Sequence, residues 1–242
     1  AGTEAATMAS RLGMSVAIVT FDMGDVGALS CNPAMGGLGK GHLIREIDAL
    51  GGLIGMASDK SGIQFKVLNK TRGAAVQGPR AQIDRNQYKR NMMILLKKEN
   101  IKIIEDEVED IKTEISKGNI NICGITLVKH GTLSCKSIII TTGTFLGGKI
   151  YRGKESWEAG RLGCKPSNRL TKFFNHFFKV LRLKTGTPPR IRGSSVNYEK
   201  CEIQKGDSNP EPFSFLTDKL VNNQEDCYIT KTNEVTHGII RS

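Results

Sequence analysis

Cys31 stands in Ser30-Cys31-Asn32-Pro33, immediately before a glycine-rich loop, Gly36-Gly37-Leu38-Gly39-Lys40-Gly41. Helix-terminal amides and the Lys40 ammonium would favour a thiolate there, which makes Cys31 the candidate nucleophile. The competing reading is a small apolar core residue, the commoner fate of a free cysteine. The loop also invites a nucleotide-hydrolysing reading, and two positions exclude it. Ala34 occupies the place of the first glycine, and Gly41 replaces the hydroxyl residue that binds the metal. The loop amides remain able to hold a phosphate or a flavin edge.

Ala1-Gly2 at the start of a helix fits the last two positions of a dinucleotide fingerprint, whose glycines let the backbone approach a pyrophosphate. The run Ser137-Ile138-Ile139-Ile140-Thr141-Thr142-Gly143 reads as a buried strand ending in a glycine that admits a cofactor close to the main chain. Two basic stretches follow other rules. The first runs from Arg72 to Arg90; the second, from Lys172 to Arg192, includes Phe173, Phe174, Phe177 and Phe178. Aromatics among cations could stack bases, but at helical spacing a phenylalanine cluster is more often core, and the cations could simply be solvated.

The elements that must position these groups alternate helix and strand. Gly2 to Leu12 predicts a helix stopped by Gly13, followed by a buried parallel strand from Val16 to Phe21. That order is the second half of a βαβ unit whose first strand the sequence lacks. No acid ends this strand where a ribose-binding carboxylate is usual; Asp22 comes one residue later. Helices are predicted over His42 to Leu50 and over Gln82 to Asn100, and a strand over Ile101 to Ile104. Val108 to Ile115, Ile120 to Val128 and Thr132 to Ser134 alternate as an antiparallel meander with turns at Lys117-Gly118-Asn119 and His130-Gly131. Cys123 and Cys135 fall on this meander and are assigned to packing. The pattern loosens after about residue 185.

The 242 residues carry a formal charge of +11, which suits a polyanionic partner and equally a basic protein with no such partner. Six cysteines without CxxC pairs and four dispersed histidines argue against a zinc site and a disulfide framework. No apolar run could cross a bilayer, so no membrane is expected, and the absence of a signal core places the chain in the cytoplasm.

The ordered series of strings resembles the MnmG (GidA) family across essentially the whole chain. It comprises Ser30 to His42, Asp48-Ala49-Leu50-Gly51-Gly52, Gly62-Ile63-Gln64-Phe65, Thr142-Gly143-Thr144-Phe145-Leu146, Lys184-Thr185-Gly186-Thr187-Pro188-Pro189-Arg190 and Cys227-Tyr228-Ile229-Thr230. The resemblance implies an α/β, doubly wound Rossmann-like FAD-binding domain with a β-meander over residues 1–190. Residues 191–242 would begin an inserted domain that handles NADH. It implies a flavoprotein that installs the carboxymethylaminomethyl group on the wobble uridine of tRNA, working with an MnmE-type GTPase and dimeric at full length. The implied one-carbon donor is methylenetetrahydrofolate, and glycine or ammonia supplies the nitrogen. FAD contacts carry over to Ala1, Gly2, Val108 and Ser167, with Thr142 and Gly143 near the flavin, and Cys31 matches a cysteine important in the family. Gly163-Cys164-Lys165-Pro166 departs from the acidic, proline-rich loop expected there. Competing readings are a folate- and FAD-dependent tRNA uridine methyltransferase, a flavoprotein oxidoreductase acting on small molecules, and a non-catalytic RNA-binding fragment.

Overall fold

The computed structural model describes every residue from Ala1 to Ser242. In chain order the elements begin with α1 (Gly2–Arg11), β1 (Val16–Thr20), β2 (Ala34–Gly36), α2 (Lys40–Ala49), α3 (Ile54–Asp59), β3 (Gly62–Leu68), β4 (Gly78–Ile83) and α4 (Arg85–Leu96). They continue with β5 (Ile101–Glu105), β6 (Val108–Ser116), β7 (Asn119–Leu127), β8 (Gly131–Ser134), β9 (Lys149–Arg152), β10 (Glu155–Glu158), α5 (Asn168–Phe177), β11 (Glu202–Gln204), β12 (Cys227–Ile229) and α6 (Glu234–Arg241). These fall into two compact units, each made of two chain segments: 1–30 with 92–185, and 31–91 with 186–242.

In the first unit β1 and β5 pair in parallel, Val16 opposite Ile101 through Thr20 opposite Glu105. Helix α1 leads into β1 and ends where Gly13 takes φ +82, a conformation open to glycine at little cost. Arg11 ties the helix end to Glu99. The meander β6–β7–β8 is antiparallel, and its first hairpin turns at Lys117 and Gly118 with φ of +50 and +77. Its inner face, β5 and α5 form the core: Ile104, Ile111, Ile125, Leu127 and Leu170 are buried, with Val19, Val108, Phe173 and Phe174 packed on them. Phe173 and Phe174 thus follow the core reading, whereas Phe177 and Phe178 are exposed. β1 is only partly buried, since it pairs on one side alone.

The second unit holds an antiparallel sheet in the order β2–β4–β3, with α2 packed on β2 and β4. Gly41 explains its own presence where a hydroxyl residue was sought: a Cβ there would lie 2.7 Å from Pro79 Cδ, so only glycine lets α2 approach β4. The outer edge of β3 is covered by side chains and main chain from the 186–242 segment. Gln224 Oε1 accepts from Phe65 N, Asp207 Oδ2 from Val67 N, and Gln64 Nε2 donates to the carbonyls of Gln204 and Glu225. Two carboxylates anchor the same segment, Asp59 accepting the amides of Phe213 and Ser214 and Asp48 that of Phe215.

Three sequence expectations are corrected. Ser137–Thr142 is no strand and is partly to largely exposed, because no strand of the chain lies beside it to take its ladder bonds. Gln82 and Ile83 end β4 rather than start a helix, since Ile83 N donates to Pro33 O and the helix begins only after Asp84, which accepts from the amides of Asn86 and Gln87. Cys123 is exposed instead of packed, at the register shift between Ile122 and Gly124 of β7.

Candidate functional site

In doubly wound folds ligands bind beyond the carboxyl ends of the parallel strands. A cleft of about 340 Å³ lies there in the first unit. Thr20 and Phe21 at the end of β1 and Asp106 just past β5 line it, with Val108, the Thr141–Phe145 turn, Arg161 and Ser167. Four of the sequence-derived cofactor residues, Val108, Thr142, Gly143 and Ser167, are therefore brought together, although they are far apart in the chain.

Each has a local reason for its place. Val108 opens β6 directly after the Asp106 turn. Gly143 takes φ +56 with open space where a Cβ would be, so backbone can approach a ligand there. Ser167 is buried at the N-cap of α5, its amide donates to Phe145 O, and its hydroxyl makes no capping bond to the helix. The first-turn amides of that helix face a site suited to negative charge. Ala1 caps α1 and Gly2 begins it. Neither lines the cleft, but a Cβ on Gly2 would sit 2.8 Å from Thr141 Oγ1, beside the turn that does.

The polar groups at the rim are largely committed. Asp22, the nearest acid to the end of β1, accepts the Gly24 amide and caps a short 3-10 turn. Asp25 pairs with Arg161, whose guanidinium also donates to Cys164 Sγ, and the Asp25 bond holds the arginine above its ordinary basicity against the effect of burial. Burial pushes the Asp106 carboxyl upward, but the His130 ring and the amides of Glu107, Lys129 and His130 outweigh this and lower it to about 2. The site residues that sequence reading missed are Asp25, Asp106 and Arg161. Asp106 was visible as the residue after a parallel strand; nothing local marks Arg161.

Cys31 belongs to the second unit and does not line the cleft. Its thiol donates to Gly186 O at 3.1 Å, and its carbonyl accepts from the Arg85 guanidinium. The glycine-rich loop lies in the same unit. Its Gly37 and Gly41 amides are spent on the carbonyls of Pro79 and Gly37. Those two amides are thus not free for a phosphate.

A family model, glucose inhibited division protein A, matches residues 1–242. The chain belongs to this family. Two solved structures of Aquifex aeolicus GidA, from its form II and form I crystals, are 41% and 40% identical to it. Each superposes with a TM-score of 0.91 over 99% of the chain, which corresponds to 41% of the Aquifex protein. The chain thus spans less than half the length of these GidA relatives. The architecture is the expected α/β Rossmann-like fold with a β-meander. No helix is long and apolar enough to cross a membrane, and no group of His, Cys, Asp and Glu is placed to hold a metal ion.

Proposed function

We propose that this chain is the FAD-binding portion of an enzyme that adds the carboxymethylaminomethyl group to the wobble uridine of tRNA. The observation that carries the reading is the convergence of Val108, Thr142, Gly143 and Ser167 on one cleft at the carboxyl ends of β1 and β5, in a chain whose whole length matches the GidA family. The residues fit the cofactor: an open glycine turn, a buried serine with an uncommitted hydroxyl and a helix N-terminus answer to a dinucleotide's phosphates and ribose. FAD, when bound, would supply the two-electron redox chemistry.

The chain's own residues divide the remaining work. Val108 and Leu170 give the cleft its apolar wall, Gly143 admits the cofactor, and Arg161, locked on Asp25, holds the rim. Cys31 is the proposed catalytic thiol, set in place by Gly186 and Arg85. NADH as reductant, methylenetetrahydrofolate as one-carbon donor, an MnmE-type GTPase as partner, a homodimer and a cytoplasmic setting complete the proposal, together with residues 191–242 as the start of the NADH-handling domain. The formal charge of +11 supports an RNA substrate.

The test is the visible absorption spectrum of the purified chain mixed with excess FAD and then desalted. Retained flavin bands, lost in a Gly143→Val variant, are expected. A chain that stays colourless would sink the FAD assignment, and salt-sensitive tRNA binding without flavin would leave an RNA-binding fragment as the better description.

A further inference from the structure

Cys31 is gripped through its thiol and its carbonyl, and the two grips bring a second pair of residues into one neighbourhood. Its thiol bonds to Gly186 and its carbonyl to Arg85, which begins α4. From Gly186 the chain runs Thr187-Pro188-Pro189-Arg190, and the two prolines fix φ and stiffen the path to Arg190. Arg190 ends within Coulombic reach of Arg85.

Neither arginine is neutralised. The ion pairs of this unit are Arg45 with Glu211, Lys70 with Asp207 and His237 with Glu234, and neither guanidinium joins one. Arg85 Nε is buried without a hydrogen-bond partner. Burial, and next the repulsion of Arg190, lower the basicity of Arg85. Two cations within Coulombic reach of each other, one of them with a buried unsatisfied donor, carry two costs that a bound anion would relieve.

We infer that Arg85 and Arg190 form a clamp for a phosphodiester group, seating the backbone of an RNA strand beside Cys31. The inference rests on the tRNA reading above and deepens it by naming where the substrate is held. Guanidinium forks match phosphate oxygens two by two, which an ammonium cannot do. RNA is favoured over a small carboxylate because the clamp is not isolated. Arg192 follows Arg190 on the same exposed segment and has no carboxylate partner. A strand of phosphates can engage such a series, whereas one carboxylate cannot. Phosphate contacts of this kind position the substrate without reading its bases.

The test uses the 242-residue chain and an unmodified anticodon stem-loop RNA with uridine at the wobble position, titrated at several salt concentrations. Arg190 is exposed, so Arg190→Gln leaves packing intact, and an unchanged thermal midpoint verifies this. The expected result is a slope of log affinity against log salt reduced by about one for R190Q. Arg190→Lys, which keeps the charge, restores most of that slope, and Lys112→Gln, an equal loss of charge on the meander, leaves it unchanged. An R190Q slope equal to that of the parent would overturn the clamp while leaving the tRNA reading standing. A variant that binds RNA normally but loses affinity for a polyglutamylated folate would overturn it too, by showing a carboxylate site. If the parent binds no RNA at any salt concentration, the tRNA reading falls for this chain and the clamp with it.

Discussion

Asp106 Oδ2 lies 2.7 Å from Nδ1 of His130, joining a fully buried carboxylate to an imidazole that is largely exposed. The same carboxylate accepts the amides of Glu107, Lys129 and His130, so one side chain at the end of β5 fastens the far end of β7 and the turn after it. Asp106 also lines the cleft, which ties the shape of the proposed cofactor site to the meander.

This arrangement sets an acid limit. An acid lowered from 3.8 to about 2 in the folded state binds its proton more readily when unfolded. Its contribution to stability is therefore complete above the unfolded value and is lost as pH falls through the interval down to about 2. Asp106→Asn removes the contribution at every pH. Thermal midpoints measured across that interval should fall steeply for the parent, while the variant starts several degrees lower at neutral pH and changes less. Parallel curves for the two proteins would show that Asp106 is not the group responsible.

Gly148 supports the turn that carries Thr144 and Phe145. A Cβ there would meet Thr144 O at 2.5 Å and Ala159 O at 2.6 Å, both main-chain atoms that cannot swing away. Gly148→Ala should destabilise the first unit by about 1–3 kcal/mol and lower flavin retention with it. Urea unfolding alongside flavin absorbance reads both, and a variant as stable as the parent would show that the turn yields easily.

Asp59 anchors the second unit by accepting from two successive amides, those of Phe213 at 2.7 Å and Ser214 at 2.9 Å. Asp59→Asn turns an amide group toward one of those donors and should cost about 1–3 kcal/mol for a buried group left unsatisfied. Limited proteolysis should then cut near Phe215 sooner than in the parent. Burial, opposed by these amide bonds, leaves the Asp59 carboxyl raised, so its ionisation disfavours the fold as pH rises through that raised value, opposite in sign to Asp106.

Cys31→Ser keeps a donor for the Gly186 carbonyl and removes the nucleophilic sulfur. In a preparation that modifies tRNA, wobble-uridine modification should drop by orders of magnitude while flavin content and the thermal midpoint stay near those of the parent. Retained activity would assign Cys31 to packing instead.

The sequence alone established the local elements and the family. Gly13 stopped α1, Lys117-Gly118 turned the first hairpin, and period-two alternation marked β6 and β7, because these signals act over a few residues through backbone sterics and side-chain facing. The strings around Cys31 and Thr142 carried the resemblance that the family match then upheld. Tertiary structure decided what no local signal encodes. Ser137 to Thr142 has strand-forming residues but no ladder, since a strand exists only where a neighbour accepts its hydrogen bonds. Which carboxylates are committed followed from pairings across long sequence separations, as with Asp25 and Arg161 or Asp59 and Phe213. That Arg190 comes within Coulombic reach of Arg85 was likewise invisible in two separate basic stretches, because Coulomb interactions depend on distance in space and not along the chain.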